Sequence, residues 1–208
     1  MAGTRAKLTG VDAPEGLRER KKAAARLALH EAAVRLALEH GLDHVTTEAI
    51  ADAADLSRRT FSNYFASKED AILDGDVVRL QDWLAALRDR PPSEPPWRAL
   101  RASLNSLTDR WLDPDLARVT AMRALRQHPS LLARQSAIYG AFERDAAGVL
   151  LARSGAHAPD DRRAARVQAA AFLSGLRVAM NLWVEEPDVH HLMPTLDQVL
   201  DQLGRGFE

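Results

Sequence analysis

The sequence predicts an all-α chain, about nine helices in total, with an N-terminal three-helix domain built around a helix-turn-helix and a longer helical domain after it. Three features lead there. Residues 46–65, TTEAIADAADLSRRTFSNYF, read as two short helices across a tight turn. From residue 67 onward apolar residues recur at intervals of three and four, with no alternating strand pattern in competition. Clusters such as Pro91-Pro92-Ser93-Glu94-Pro95-Pro96 and Gly155-Ala156-His157-Ala158-Pro159 separate those stretches.

Residues 1–17 read as a flexible leader. Arg18, Arg20, Lys21, Lys22 and Arg26 then cluster against Glu19 alone, giving a local basic arm that runs into the first helix of a domain spanning 18–66. In the next helix Thr46 or Thr47 caps the free amides, and Glu48 sits in the first turn, where the helix dipole favours a carboxylate. Ile50, Ala51 and Ala54 form a narrow face of small residues that admits a close helix crossing. Asp55 falls at the turn, Leu56 fills the angle between the helices, and Ser57 can cap the second helix. Arg58, Arg59, Thr60, Ser62, Asn63 and Tyr64 then face outward as donors and acceptors, while Phe61 and Phe65 anchor the helix inward. A second helix of this kind fits a DNA major groove. Thr46, Thr47, Lys68, Arg20, Lys21 and Lys22 complete the expected DNA contacts, the basic ones toward phosphates.

Beyond this domain, residues 67–90 read as one helix with Ile72, Leu73, Val77, Leu80, Leu84 and Leu87 at helical spacing, ended by the proline run in a hinge or elbow. Trp97, Leu100, Leu104, Leu107 and Trp111 mark the next helix; Pro114 opens another, which Pro129 stops. Leu131, Ile138, Phe142, Val149 and Leu150 mark residues 130–153. A long helix runs from Asp160 to about Glu185, and a last one from Leu192 to Leu203. The 160–185 helix carries Val167, Ala171, Phe172, Leu176, Ala179, Met180 and Trp183, more apolar surface than one core-facing stripe needs, so it is expected to be a partner surface or else a fully buried central helix. Trp97, Leu100, Leu104, Trp111, Met122, Leu125, Ile138, Phe142, Phe172, Leu176, Met180 and Trp183 are either plain core or the wall of an apolar ligand cavity, for which Met and Trp are well suited.

At 208 residues and 46% hydrophobic content, the chain can bury a real core in one larger or two smaller domains. It has no Cys, which excludes disulfides and thiolate metal sites and fits a reducing cytoplasm. No apolar run approaches the roughly 18–20 residues of a membrane span, and no signal-peptide pattern opens the chain. Charges nearly cancel, 28 Lys plus Arg against 29 Asp plus Glu, so any attraction for DNA must come from how charge is distributed.

The run from Arg26 through Leu73 resembles the DNA-binding domain of the TetR family of bacterial transcriptional repressors. Arg26, Leu29, Ala32, Ala33 and the Gly41-Leu42 turn match the family's first helix. Thr46, Ile50, Ala51, Ala54, Asp55, Leu56 and Ser57 match its second block, and Thr60, Phe61, Tyr64, Phe65, Ser67, Lys68 and Glu69 its third. Four positions depart from the pattern. His30 replaces an apolar residue and reads as a partly buried, hydrogen-bonded histidine. Asp55 replaces the turn glycine, Ser62 replaces an aromatic residue, and Glu48 stands where relatives carry a basic or polar DNA contact; it would repel phosphate unless it accepts a hydrogen bond from cytosine N4, and reads rather as a solvent-facing helix stabiliser.

The segment from Arg90-Pro91-Pro92 through Arg126-Gln127-His128-Pro129 to Phe142-Glu143-Arg144 resembles the C-terminal domain of the MftR-like branch, which is associated with acyl-CoA ligands. Together these resemblances imply a ligand-responsive repressor, a cytoplasmic homodimer paired through its last two helices on a palindromic operator. A small apolar or acyl-type effector, with Arg101, Arg123 or Arg126 near an anionic head group, would shift helix 67–90 and the spacing of the two reading heads. No cofactor is implied.

Two other classes stand beside this one: a helical protein-interaction module without DNA binding, and a small helical enzyme. For the enzyme, His190-His191 near Asp188 and Glu185-Glu186 offer metal-ligand chemistry but lack the i, i+4 pairing of helical zinc sites. Ser174-Gly175 lies inside a helix without a nucleophile elbow, and no Gly-rich phosphate loop occurs. No catalytic or metal residue is assigned on this basis.

Overall fold

The computed structural model describes residues 13–107, 116–155, 158–185 and 192–207, and all regular structure among them is helical. Ten α-helices are present among these residues: α1 (Ala13–His40), α2 (Thr47–Ala53), α3 (Arg58–Tyr64), α4 (Lys68–Ile72), α5 (Asp74–Arg88), α6 (Pro96–Asn105), α7 (Leu116–Arg126), α8 (Pro129–Ser154), α9 (Pro159–Glu185) and α10 (Leu192–Gly204). A 3-10 turn, Leu42–His44, comes after α1. The count exceeds the expected nine because residues 67–90 do not form one helix. Leu73, at φ −87° and ψ 3°, separates α4 from α5, and Gly75 just beyond it weakens helix propensity at the break. The chain divides there into two compact units, Met1–Ile72 and Leu73–Glu208.

Two other boundaries differ from expectation. Helix α1 begins at Ala13, so the end of the expected flexible leader is helical. Pro129 opens a helix as well as ending the segment before it: it is the first residue of α8, where a missing N–H is harmless, and His128 Nδ1 accepts from Ser130 N at 3.3 Å. Trp111 and Pro114 lie outside the described residues.

In the N-terminal unit, Leu29, Ala32, Ala33 and Ala37 of α1 are buried together with Ile50 and Ala51 of α2, Phe61 of α3, Phe65, and Ala71 and Ile72 of α4. The small residues let α1 and α2 approach closely. His30 is the hydrogen-bonded histidine its position suggests: its Nδ1–H donates to Ala71 O at 2.8 Å, tying α1 to α4.

The C-terminal unit is organised around aromatic rings. Trp83 stacks on Phe172 at 5.3 Å between centroids, and Trp97 meets the same ring edge-on at 5.9 Å. Phe207 also packs on Trp97, at 4.9 Å. The last helix docks where two glycines leave room: Gly204 lies against the Trp97 indole, and Gly175 of α9 lies against Leu203 and Leu200 of α10. The proline elbow between α5 and α6 is fastened rather than free. Arg153 of α8 donates to Pro91 O at 2.7 Å and to Arg90 O, and Arg90 forks onto Glu94 at 2.7 and 2.8 Å.

Candidate nucleic-acid interface

The helix-turn-helix is built from local hydrogen bonds that the sequence encodes. Thr46, in extended conformation, is the α2 cap: its Oγ1 accepts from Ala49 N at 3.1 Å. Thr47 instead donates its hydroxyl to Glu48 Oε2 at 3.0 Å. Helix α2 ends in a Schellman turn, with Leu56 N donating to Ala51 O at 2.9 Å and Asp55 N to Asp52 O at 3.0 Å. This turn requires a left-handed residue. Asp55 supplies it at φ 54°, the one positive-φ residue other than glycine among those described. Ser57 caps α3, accepting from Thr60 N at 3.0 Å and sharing a hydroxyl hydrogen bond with Thr60 Oγ1 at 2.8 Å.

On α3 four of the six polar residues expected to face outward are exposed. Arg58, Arg59, Ser62 and Asn63 are exposed, and Thr60 and Tyr64 are half-buried. Phe61 and Phe65 are buried, their rings 5.8 Å apart. Arg20, Lys21 and Lys22 are exposed on α1, where Arg20 Nε donates to Gly16 O at 3.0 Å. Arg26, the last of that basic cluster, instead lies over the Phe65 ring.

Two side chains have roles that spacing did not show. Glu48 is not simply a solvent-facing stabiliser: its Oε1 lies 2.9 Å from Arg58 Nε, bridging α2 to the recognition helix. Its own backbone N–H, then the Thr47 hydroxyl and the Arg58 charge, hold its carboxyl below the usual carboxylate range. Lys68, expected at a phosphate, has two of its three N–H donors engaged inside the fold, with Leu42 O at 2.7 Å and Val45 O at 3.0 Å. Those carbonyls belong to the turn after α1, where helical partners run out, so a half-buried ammonium is a strong donor for them. Lys68→Ala is therefore expected to lower the stability of the N-terminal unit by about 1.5–3 kcal/mol, measured by denaturant unfolding, with little change in the salt dependence of DNA binding. A variant of unchanged stability whose salt slope drops by about one would return Lys68 to phosphate contact.

The residues expected around an effector fall into more than one packing group. Trp97 and Phe172 are buried in the core that Trp83 and Phe207 complete, and Leu100 and Leu104 are buried on the same helix as Trp97. Trp183 and Leu192 form another buried group, with Met180 and Val119 packed on it. Ile138 and Phe142 are buried on α8, whereas Met122, Leu125 and Leu176 are half-buried. Each arginine expected at an anionic head group faces a carboxylate instead. Arg101 pairs with Asp197 at 3.0 Å and with Asp201, Arg123 lies 3.5 Å from Glu185, and Arg126 lies 2.9 Å from Asp76. His190, His191, Asp188 and Glu186 lie outside the described residues.

Periodicity also missed a polar cluster. Asp76 is buried, its Oδ1 meets both Arg79 and Arg126, and its Oδ2 and Arg126 Nε have no partner among the described residues. Nearby Tyr139 has its phenol pushed up to about 12, first by burial and then by the Asp76 charge. The only sequence signal was a pair of carboxylates, Asp74 and Asp76, in the first turn of an otherwise apolar-faced helix.

Both parts of the chain are similar to known proteins. Residues 29–73 match the family described as bacterial regulatory proteins, tetR family, and residues 94–208 match the MftR C-terminal domain. The chain is 33% identical over 196 residues to the HTH-type transcriptional regulator TcmR of Streptomyces glaucescens, spanning 90% of this chain and 86% of that protein. It is 29% identical over 181 residues to a candidate mycofactocin biosynthesis transcriptional regulator, MftR, of Mycobacterium tuberculosis, spanning 86% and 89%. A crystal structure of a transcriptional regulator from Rhodococcus sp. Rha1 superposes with a TM-score of 0.49 at 21% identity, over 87% of this chain and 96% of that one. The chain belongs to the tetR family of bacterial regulatory proteins, carries an MftR-type C-terminal domain, and is a DNA-binding transcriptional regulator.

Proposed function

We propose that the protein acts in the cytoplasm as a homodimeric repressor on a palindromic operator and is released by a small apolar effector bound in its C-terminal unit. The observation that carries the DNA-reading part is α3 itself, whose exposed Arg58, Arg59, Ser62 and Asn63 stand over buried Phe61 and Phe65. Apolar anchors fix the helix while its polar face keeps its hydrogen-bonding capacity for base edges and phosphates.

The dimer reading is supported by α9 and α10. Val167, Val178 and Leu182 are exposed on α9, and Leu203 is exposed on α10. Ala164, Val167, Ala171, Ser174, Val178 and Leu182 succeed one another at steps of three and four, a continuous stripe of small and apolar residues. Such a stripe suits packing against the same two helices of a second copy, which would present two reading heads with two-fold symmetry.

For the effector, the carboxylate partners of Arg101, Arg123 and Arg126 favour a neutral apolar ligand. An acyl-CoA head group would have to open one of these pairs. Release would be a population shift, with effector favouring a state of lower operator affinity.

Selection of bound duplex from a random pool tests the DNA-reading and symmetric-dimer parts of this proposal. The expected product is an inverted repeat, with affinity falling steeply and linearly in log–log coordinates as salt rises. A single unrepeated motif would overturn the symmetric dimer, and no retained duplex at low ionic strength would overturn DNA reading.

A further inference from the structure

We infer that Glu48 is a positioning residue for base recognition: it holds Arg58 through Nε so that the two terminal nitrogens of the guanidinium present a paired donor edge to a guanine. The inference rests on the DNA-reading role proposed for α3 and adds a second helix to that site.

The geometry is specific. Glu48 lies in the first turn of α2 and Arg58 is the first residue of α3, so their contact spans the helix-turn-helix. Glu48 Oε1 takes Arg58 Nε at 2.9 Å, while Oε2 accepts the Thr47 hydroxyl at 3.0 Å. Both carboxylate oxygens thus have a partner on a named neighbour. Arg58 Nη1 and Nη2 keep their donors. A guanidinium is planar, so fixing Nε fixes the plane in which those donors lie. Guanine offers a matching pair of acceptors, O6 and N7, in the major groove.

An exposed ion pair of this kind contributes little to folding, because solvent screens it and side-chain entropy opposes it. Both partners are about half or more exposed, Glu48 at 49% and Arg58 at 71% of the side chain. Its consequence is instead expected in recognition, where an unpositioned Arg58 would reach phosphates and base edges alike. The carboxylate also opposes phosphate contact, since an anion beside the DNA backbone reduces the local positive potential. Removing Glu48 should therefore have opposite effects on the two kinds of binding: weaker discrimination, and equal or tighter binding to unrelated sequence.

The experiment is a double-mutant cycle on the full-length protein with E48A, R58A and E48A/R58A, read on duplexes chosen by selection with the unmodified protein. At the base pair whose preference R58A abolishes, E48A is expected to lower discrimination between G·C and A·T about 3- to 10-fold, a part of what a good bidentate pair supplies. Affinity for a scrambled duplex should hold or rise. In the R58A background, E48A should change discrimination no further, and E48Q, which keeps an acceptor oxygen, should recover part of it. An E48A effect of equal size with and without Arg58, or undiminished discrimination in E48A, would overturn the positioning role. Failure of the unmodified protein to select any duplex would instead overturn the DNA-reading proposal, and so remains distinguishable. Circular dichroism of the variants keeps a folding defect from imitating loss of discrimination.

Discussion

Gly204→Ala is expected to destabilise the C-terminal unit by about 2 kcal/mol, even though alanine is by propensity the better helix residue by up to about 1 kcal/mol. A Cβ at this position would fall inside contact distance of Trp97 Nε1, with Cδ1 at 3.0 Å and Cε2 at 3.2 Å. The ring cannot retreat. It is buried, with Phe172 edge-on at 5.9 Å and Phe207 at 4.9 Å. Either the indole leaves its position beside those rings or the end of α10 lifts. Gly175→Ala provides the contrast. Its Cβ would meet Leu203 Cδ1 at 2.6 Å, the far end of a flexible side chain that is 37% exposed and can turn away, and buried Leu200 Cδ2 at 3.2 Å, which must give by only a few tenths of an ångström. Its cost should be under about 1 kcal/mol, offset by helix propensity. Thermal unfolding of the two variants checks the ranking, with Gly204→Ala lowering Tm by roughly 4–8 °C at this chain length. Equal, small shifts would show that Trp97 has freedom to move that its packing denies.

This pair also marks where the sequence was legible and where it was not. The helix-turn-helix could be read because its determinants are local. Thr46 and Ser57 are caps within three residues of the amides they satisfy, Asp55 occupies a turn position, and Phe61 and Phe65 lie one helical turn apart. Short-range chemistry leaves a pattern in the order of residues. Gly175 and Gly204 gave no such pattern, because the reason for each is a side chain on another helix. Lys68 obeys the same logic: its spacing suggested a phosphate ligand, yet the carbonyls it binds lie 26 and 23 residues earlier in the chain. Glu48 is hard to read because a first-turn carboxylate is already explained by the helix dipole, which hides its second partner, Arg58. The apolar residues of the C-terminal unit were recognisable as a set. Their division between the Trp97–Phe172 core and the Trp183–Leu192 group depends on how the helices pack, which periodicity alone does not determine.

Asp76→Ala is expected to cost about 3 kcal/mol, the larger effect of the two, because it removes a carboxylate that two arginines share. The Asp76 side chain is only 8% exposed, whereas those of Arg126 and Arg79 are 29% and 40% exposed. Arg79 can turn to water when its partner goes. Arg126 has less freedom, since its Nε is already buried without a partner and its Nη2 would lose the 2.9 Å contact with Asp76. The penalty thus comes chiefly from leaving one guanidinium half-buried and uncompensated, not from losing a favourable attraction. That distinction is measurable. If it holds, Arg126→Met in the Asp76→Ala background should recover stability, since an apolar side chain of similar length removes the stranded charge. Tyr139 supplies an independent readout: with Asp76 gone, one cause of its raised phenol is removed while the Arg79 and Arg177 charges that lower it persist. Its spectrophotometric titration should move below about 12 in Asp76→Ala, and by less in the double variant, which also loses the lowering charge of Arg126. Unchanged stability in Asp76→Ala, or a double variant less stable than the single, would mean that Arg126 is solvated as it stands and that the cluster is not a structural element of the C-terminal core.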